Sequence, residues 1–300
     1  MLYGIGISKG LDMESVRIGG KKHVLFRGES GKVSMLDAQC PHRGANLCKG
    51  KIKGDRVQCP YHGWEYDADG KLVKVPSTPN IPVGGDIGSK PVVEDGGFIW
   101  TAKKNQPLPT RYCKELYDPS WVQVYGSKNL EGNIYDWILN ATDISHINYV
   151  HNFADEDNGI VKNLKIETID DYVDCHAVVQ PKASSTFTEH MQPKDGAPVH
   201  SRFVAPATSI VRIKLVGKYE FITFSTLSPI DDTHTKMSWC IMYPKTPLMN
   251  NPIVNKRFHY KMYETVAQDE AIIKDIDWVP MFVNAPCDKF QIEALQLLEG

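Results

Sequence analysis

Two short segments of the chain carry metal-binding chemistry. The first is Cys40-Pro41-His42-Arg43-Gly44. The second is Cys59-Pro60-Tyr61-His62-Gly63-Trp64, with sixteen residues between His42 and Cys59. Each offers one thiolate and one imidazole, and the adjacent prolines and glycines favour tight turns that aim both side chains the same way. Two thiolates on one iron and two imidazoles on the other are the donors of a two-iron, two-sulfide cluster, and the neutral imidazoles raise its reduction potential. Zinc accepts the same four donors. Its usual spacing, however, pairs cysteines in one loop and histidines in the other. Cys48, between the loops, reads as a thiol that binds no metal.

A second constellation is Asn140-x-x-Asp143-x-x-His146-x-x-x-x-His151. Asn140, Asp143 and His146 are three apart and share one face of a helix. His151 is five residues beyond His146, about 140° round an ideal helix. Both imidazoles reach one metal only if the helix ends or bends between them, or the metal lies across its end. Two histidines and a carboxylate make a facial triad with positions left open for dioxygen. The chain from about Asn255 to Trp278 has a helical pattern, with Val254, Phe258, Met262, Val266, Ile273 and Ile276 on one stripe. Asp269 falls within that stripe. A carboxylate on a buried face is costly unless paired or metal-bound, so Asp269 is the expected third ligand and Asp277 the alternative.

These motifs resemble the Rieske non-haem iron oxygenases, in particular the ring-hydroxylating and the vanillate and dicamba O-demethylase-like oxygenase subunits. The resemblance rests on the two Cys/His loops with Asp67, Gly70 and Pro76 downstream, on Asp143-x-x-His146-x-x-Tyr149-Val150-His151, and on Gln268-Asp269. It implies that Cys40 and Cys59 bind one iron of a [2Fe-2S] cluster and that His42 and His62 bind the other. It further implies that His146, His151 and Asp269 bind a mononuclear Fe(II), that Asn140 lies near that iron, and that Asp143 bridges to a Rieske histidine of a neighbouring subunit in a head-to-tail homotrimer. The implied fold is an all-β Rieske domain followed by a helix-grip-type catalytic domain, an antiparallel sheet with helices. The implied reaction is hydroxylation or oxidative demethylation of a small organic substrate by O2. The chain has no G-x-G-x-x-G nucleotide fingerprint, so electrons must come from a separate reductase, with or without a ferredoxin.

The elements that must position these residues are legible in outline. Residues 1–105 read as a small all-β domain, with short β-prone runs such as His23–Phe26 and Phe98–Thr101 and turns at Asp69-Gly70 and Asp95-Gly96. Residues 106–300 read as an α+β domain. It has a helix near Ile134–His151, β-like alternation over roughly 160–245, and the long C-terminal helix. The proline-rich stretch 103–120 reads as a linker. Phe203, Phe221, Phe224, Trp239 and Cys240 are either pocket-lining or sheet core.

The 34 basic and 36 acidic residues give a net charge of -2, which argues against a nucleic-acid partner. No apolar run approaches the roughly 20 residues a spanning helix needs. The N-terminus lacks a basic and apolar leader, so a cytoplasmic location is expected. Two other function classes share part of the pattern. A Rieske-type electron carrier with an unrelated C-terminal domain needs only the first constellation, and a zinc-stabilised binding protein would be colourless.

Overall fold

The computed structural model describes residues 2–79, 84–102, 105–152, 159–180, 193, 195–217, 219–247, 249–276 and 283–299. The chain divides into two compact units: Met1–Leu108 with Ser228–Asp232, and Pro109–Leu227 with Thr233–Gly300.

The first unit is built of β-strands, with a single 3-10 turn, Leu47–Lys49, among the described residues. One sheet joins β2 (Met13–Ile18), β3 (Lys21–Arg27), β4 (Val33–Asp37) and β9 (Ser89–Lys90). A second joins β1 (Gly4–Ile7), β11 (Phe98–Trp100) and β10 (Val93–Asp95). A third, smaller sheet joins β5 (Lys51–Lys53), β6 (Arg56–Gln58), β7 (Glu65–Tyr66) and β8 (Leu72–Lys74). Strand side chains alternate between faces, and the buried runs of β3 and β4 obey this on two sides at once. Val24, Phe26 and Leu36 enter one core with Cys40, Cys59, Trp64 and Tyr66. Leu25, Val33 and Met35 enter another with Ile5, Val16 and Ile99. Burial of both faces is why these strands read as continuous apolar stretches rather than alternating ones.

The second unit is built on a seven-stranded sheet. Its strands are β12 (Trp121–Glu131), β13 (Lys162–Ile169), β14 (Tyr172–Val179), β15 (Ala197–Val204), β16 (Thr208–Lys214), β17 (Glu220–Pro229) and β18 (His234–Pro244). The order across the sheet is β12-β18-β17-β16-β15-β14-β13. Helices α1 (Ile134–Ala141), α2 (Ile147–Val150), α3 (Pro252–Ile273) and α4 (Lys289–Glu299) complete the α+β architecture. Aromatic contacts seat α3 on one sheet face: Phe258 against Phe221 and Tyr243, and Tyr263 against Trp239. Tyr263 also donates to the Ser127 carbonyl at 3.0 Å. Phe203, Phe224, Trp239 and Cys240 are all buried in this sheet.

Four expectations need correction. The helix expected over Ile134–His151 is broken: α1 ends at Ala141 and α2 starts at Ile147. The long helix ends at Ile273, so Ile276 lies beyond it and is exposed; 277 and 278 fall outside the described residues. The stretch read as a linker is, from Pro109 to Leu116, two short 3-10 turns with Thr110, Cys113, Glu115 and Leu116 buried. Its prolines forbid a long element, but Glu115 pairs with Arg212 at 2.8 Å and fixes the stretch to the sheet. The C-terminal α4 was not anticipated. It buries Phe290 and Ala294 and packs against β13 and β14.

Register places Arg212 beside Ile213, which pairs with the α3-facing Phe221, so Arg212 belongs to the sheet face opposite α3. On that same face Asp174 sits directly across from Arg202. Burial alone would push the Asp174 carboxyl up. The two-pronged Arg202 contact at 2.7 and 2.6 Å, with His200 at 3.0 Å, outweighs this and holds it well below the usual carboxylate range. A depressed carboxyl stabilises the fold above its unfolded value of about 4, and that stability is lost as pH falls toward the lower folded value. Denaturant unfolding at a series of acidic pH values should therefore show a steady loss below about pH 4. Arg202→Met should lower stability at neutral pH by roughly 3 kcal/mol and flatten the acid slope.

Candidate metal centres

The two Cys/His loops share one backbone design. In the first, Cys40 N donates to Ala45 O at 2.9 Å and Gly44 N donates to Cys40 O at 2.8 Å. In the second, Cys59 N donates to Trp64 O at 2.7 Å and Gly63 N donates to Cys59 O at 3.2 Å. The fifth residue of each loop has a positive φ, +74° at Gly44 and +71° at Gly63, a conformation that glycine adopts without a steric penalty. Repetition of C-P-x-x-G in the sequence is thus repetition of a turn. The 59–64 turn connects β6 to β7, and a Gln39–Asn46 bridge closes the 40–45 turn.

The donors sort by depth. Cys40 and Cys59 are buried at 1% and 3% exposure, whereas His42 is half-buried and His62 exposed. Burial pushes the Cys59 thiol up, and the neighbouring Cys40 adds to the shift. Tyr66 Oη lies 3.2 Å from Cys40 Sγ, and burial followed by that contact raises the phenol strongly. No disulfide joins the cysteines. The imidazoles of His42 and His62 meet edge to face at 4.5 Å, and His42 stacks on Trp64 at 4.5 Å. Burial, then His62 and Arg43, lowers the His42 pKa, and its Nδ1 is buried without a hydrogen-bond partner among the described residues. Two inner thiols and two outer imidazoles, one with an orphaned nitrogen, fit the donor set of a two-iron cluster.

The second site is assembled by the break in the helix. Asn133 caps α1 and Asp136 returns the bond, a capping box. Thr142 ends α1 by donating its hydroxyl to Ile138 O at 2.7 Å. Asp143 Oδ1 then accepts from Ser145 N and Oγ, both at 2.7 Å, and from His146 N at 3.3 Å. Asn140, Asp143 and His146 therefore do not share one helix face. Asp143 instead holds the turn that precedes α2, and His146 and His151 flank that single helical turn. His151 is already extended, with ψ 130°. This solves the 140° problem: the histidines meet at 5.2 Å between ring centroids, with planes 74° apart.

Asp269 is brought to both. Its Oδ1 lies 3.5 Å from His146 Nε2 and 3.4 Å from His151 Nε2. Asn140 Nδ2 donates to the same oxygen at 3.3 Å. Asp269 is 7% exposed, between buried Val266 and Ile273. Glu270 is drawn away to Lys128 and Glu131 N, and Asp277 lies outside the described residues. Burial lowers the His146 pKa, but Asp269 and then Asp143 outweigh it and raise the net value; at His151 burial wins and the pKa falls. His146 Nδ1 is buried without a hydrogen bond, 3.7 Å from Asp143 Oδ2. Three donor atoms within 4.8 Å of one another, on one buried carboxylate and two imidazoles, fit a single divalent ion. A second group of this type, Asp174, His176 and His200, differs in that Arg202 occupies both oxygens of Asp174. Gln268 is the residue whose contact the sequence did not disclose: its Oε1 lies 3.2 Å from His151 Nδ1.

Comparison with known proteins identifies both domains. Residues 7–85 match the Rieske [2Fe-2S] domain, and residues 136–300 match the vanillate O-demethylase oxygenase C-terminal domain. The probable 3-ketosteroid-9-alpha-monooxygenase oxygenase component of Rhodococcus rhodochrous is 34% identical over 44% of this chain and 35% of its own length. Chlorophyllide a oxygenase of Arabidopsis thaliana is 35% identical over 43% of this chain and 24% of its own. The matched region thus spans about a third or less of these relatives. In fold, the chain is similar to dicamba monooxygenase bound to dicamba, with a TM-score of 0.82, 19% identity, and coverage of 100% of this chain and 96% of that one. No helix among the described residues is long and apolar enough to cross a membrane. The family's cofactors are a Rieske [2Fe-2S] cluster and a mononuclear iron, for which the two donor sets are suited. The chain belongs to the Rieske oxygenases whose catalytic domain is of the vanillate O-demethylase type.

Proposed function

We propose that this protein is the oxygenase component of a multicomponent enzyme. It uses dioxygen, and electrons from a separate reductase with or without a ferredoxin, to hydroxylate or oxidatively demethylate an aromatic or polycyclic substrate. The observation that carries the reading is the convergence of His146 Nε2 and His151 Nε2 on one oxygen of the buried Asp269. In this reading Cys40 and Cys59 hold the inner iron of the cluster, His42 and His62 the outer one, and His146, His151 and Asp269 the mononuclear iron. When bound, these groups supply single electrons and open coordination positions for dioxygen.

The chain's own residues prepare both places. The buried thiols of Cys40 and Cys59 lie in an apolar core that excludes water, and their protons leave on metal binding. Asn140 holds Asp269 by donating to Oδ1, so the carboxylate presents a fixed edge. Asp143 uses Oδ1 to hold the turn before α2 and keeps Oδ2 toward His146 Nδ1. That carboxylate can also accept from an imidazole N–H of a neighbouring copy's cluster, linking the two centres. A head-to-tail contact of this type closes into a ring, and a homotrimer is the assembly proposed.

The reading is tested by single turnover. The chemically reduced protein is exposed to O2 with a methoxybenzoate and with a 3-ketosteroid, chosen after its relatives, and products are read by mass spectrometry. An oxygenase gives an oxygenated or demethylated product, and His146→Ala/His151→Ala gives none while its cluster still reduces and reoxidises. If the double variant matches wild type in every redox property and wild type yields no product, the protein is a carrier. Asp143→Asn keeps the size and an acceptor for the turn but removes the charge. Both metals should be retained while turnover falls by orders of magnitude, and unchanged turnover would reduce Asp143 to a turn-forming residue.

A further inference from the structure

The two histidines of the triad have unlike partners. His146 Nδ1 faces a carboxylate, Asp143 Oδ2, at 3.7 Å. His151 Nδ1 faces an amide oxygen, Gln268 Oε1, at 3.2 Å. An amide oxygen can only accept. The contact therefore puts the proton of neutral His151 on Nδ1 and makes Nε2, the atom 3.4 Å from Asp269 Oδ1, the unprotonated ring nitrogen.

We propose that Gln268 is a positioning residue of the mononuclear iron site, fixing the tautomer and ring orientation of His151 for metal binding; this rests on the iron reading above. The placement follows from helix geometry. Neighbouring residues on a helix point about 100° apart, so Asp269 takes the buried face of α3 while Gln268, half-buried, reaches round to His151. The contact is needed because α2 is one four-residue turn, too short to hold its flanking side chains by helix stability alone. Adjacent residues of α3 thus supply one ligand and the orientation of another. The choice of an amide also keeps the charge low: a carboxylate in its place would be a second anion against His151, beside Asp269.

The test uses the full-length protein with its cluster intact, stripped of mononuclear iron and titrated anaerobically with Fe(II). Gln268→Leu removes the acceptor at similar size and should weaken Fe(II) binding by about 10- to 100-fold. Gln268→Glu restores an acceptor and should bind within a few-fold of wild type. Unchanged cluster absorbance and melting temperature exclude misfolding. Wild-type binding in the leucine variant, or equal loss in both variants, overturns the proposal, the latter because it makes Gln268 a packing contact. In the iron-stripped wild type, imidazole 15N shifts should report the Nδ1–H form of His151, and the Nε2–H form would also overturn it. A wild-type protein that takes up no Fe(II) contradicts instead the iron reading itself.

Discussion

A carboxylate on the buried face of a helix is a liability unless converging donors surround it. Asp269, flanked on its face of α3 by Val266 and Ile273, is such a group, and the second unit is arranged around satisfying it. Asn140 comes from α1, His146 and His151 from the two ends of α2, and all three reach the same oxygen. In the proposed reading, a divalent cation held between this carboxylate and the two imidazoles would complete the set.

The rest of the unit serves this convergence. Aromatic contacts to Phe258 and Tyr263 fix α3 on the sheet. Trp137, fully buried, donates its indole N–H to Glu131 O at 2.8 Å and ties α1 to the end of β12. The first unit solves the same problem differently. It buries thiols, which are neutral until a metal displaces their protons, and leaves the imidazoles outward. One unit therefore sets its thiols in an apolar core, while the other places a buried carboxylate at the centre of its site.

Much of this was legible because it is local. C-P-x-x-G dictates a turn wherever it occurs, so Cys40, His42, Cys59 and His62 could be grouped before any fold was known. The five-residue gap from His146 to His151 required the helix to end between them, and it does: α2 stops at Val150 and His151 is extended. Asp269 stood out as a charge in an apolar stripe. What could not be read depends on partners distant in sequence. Strand order, and the register that puts Asp174 across from Arg202, are set by pairings across the whole sheet. The 109–116 stretch looked like a linker because its prolines are local signals, whereas the burial of Cys113 and Leu116 is decided by the sheet. Helix α4 forms where Phe290 and Ala294 find β13 and β14. Gln268 gave no sign of its contact with His151, since only the docking of α3 against α2 creates it.

The account's central claim is that the two donor sets are separate and both hold iron. Metal and acid-labile sulfide analysis of the purified protein, alongside Asp269→Ala, tests it most directly. The account predicts a two-iron, two-sulfide cluster plus one further iron per chain in the wild type, and loss of that single iron alone, with sulfide unchanged, in the variant. Zinc in place of iron, absence of labile sulfide, or an iron content that Asp269→Ala leaves untouched would contradict it.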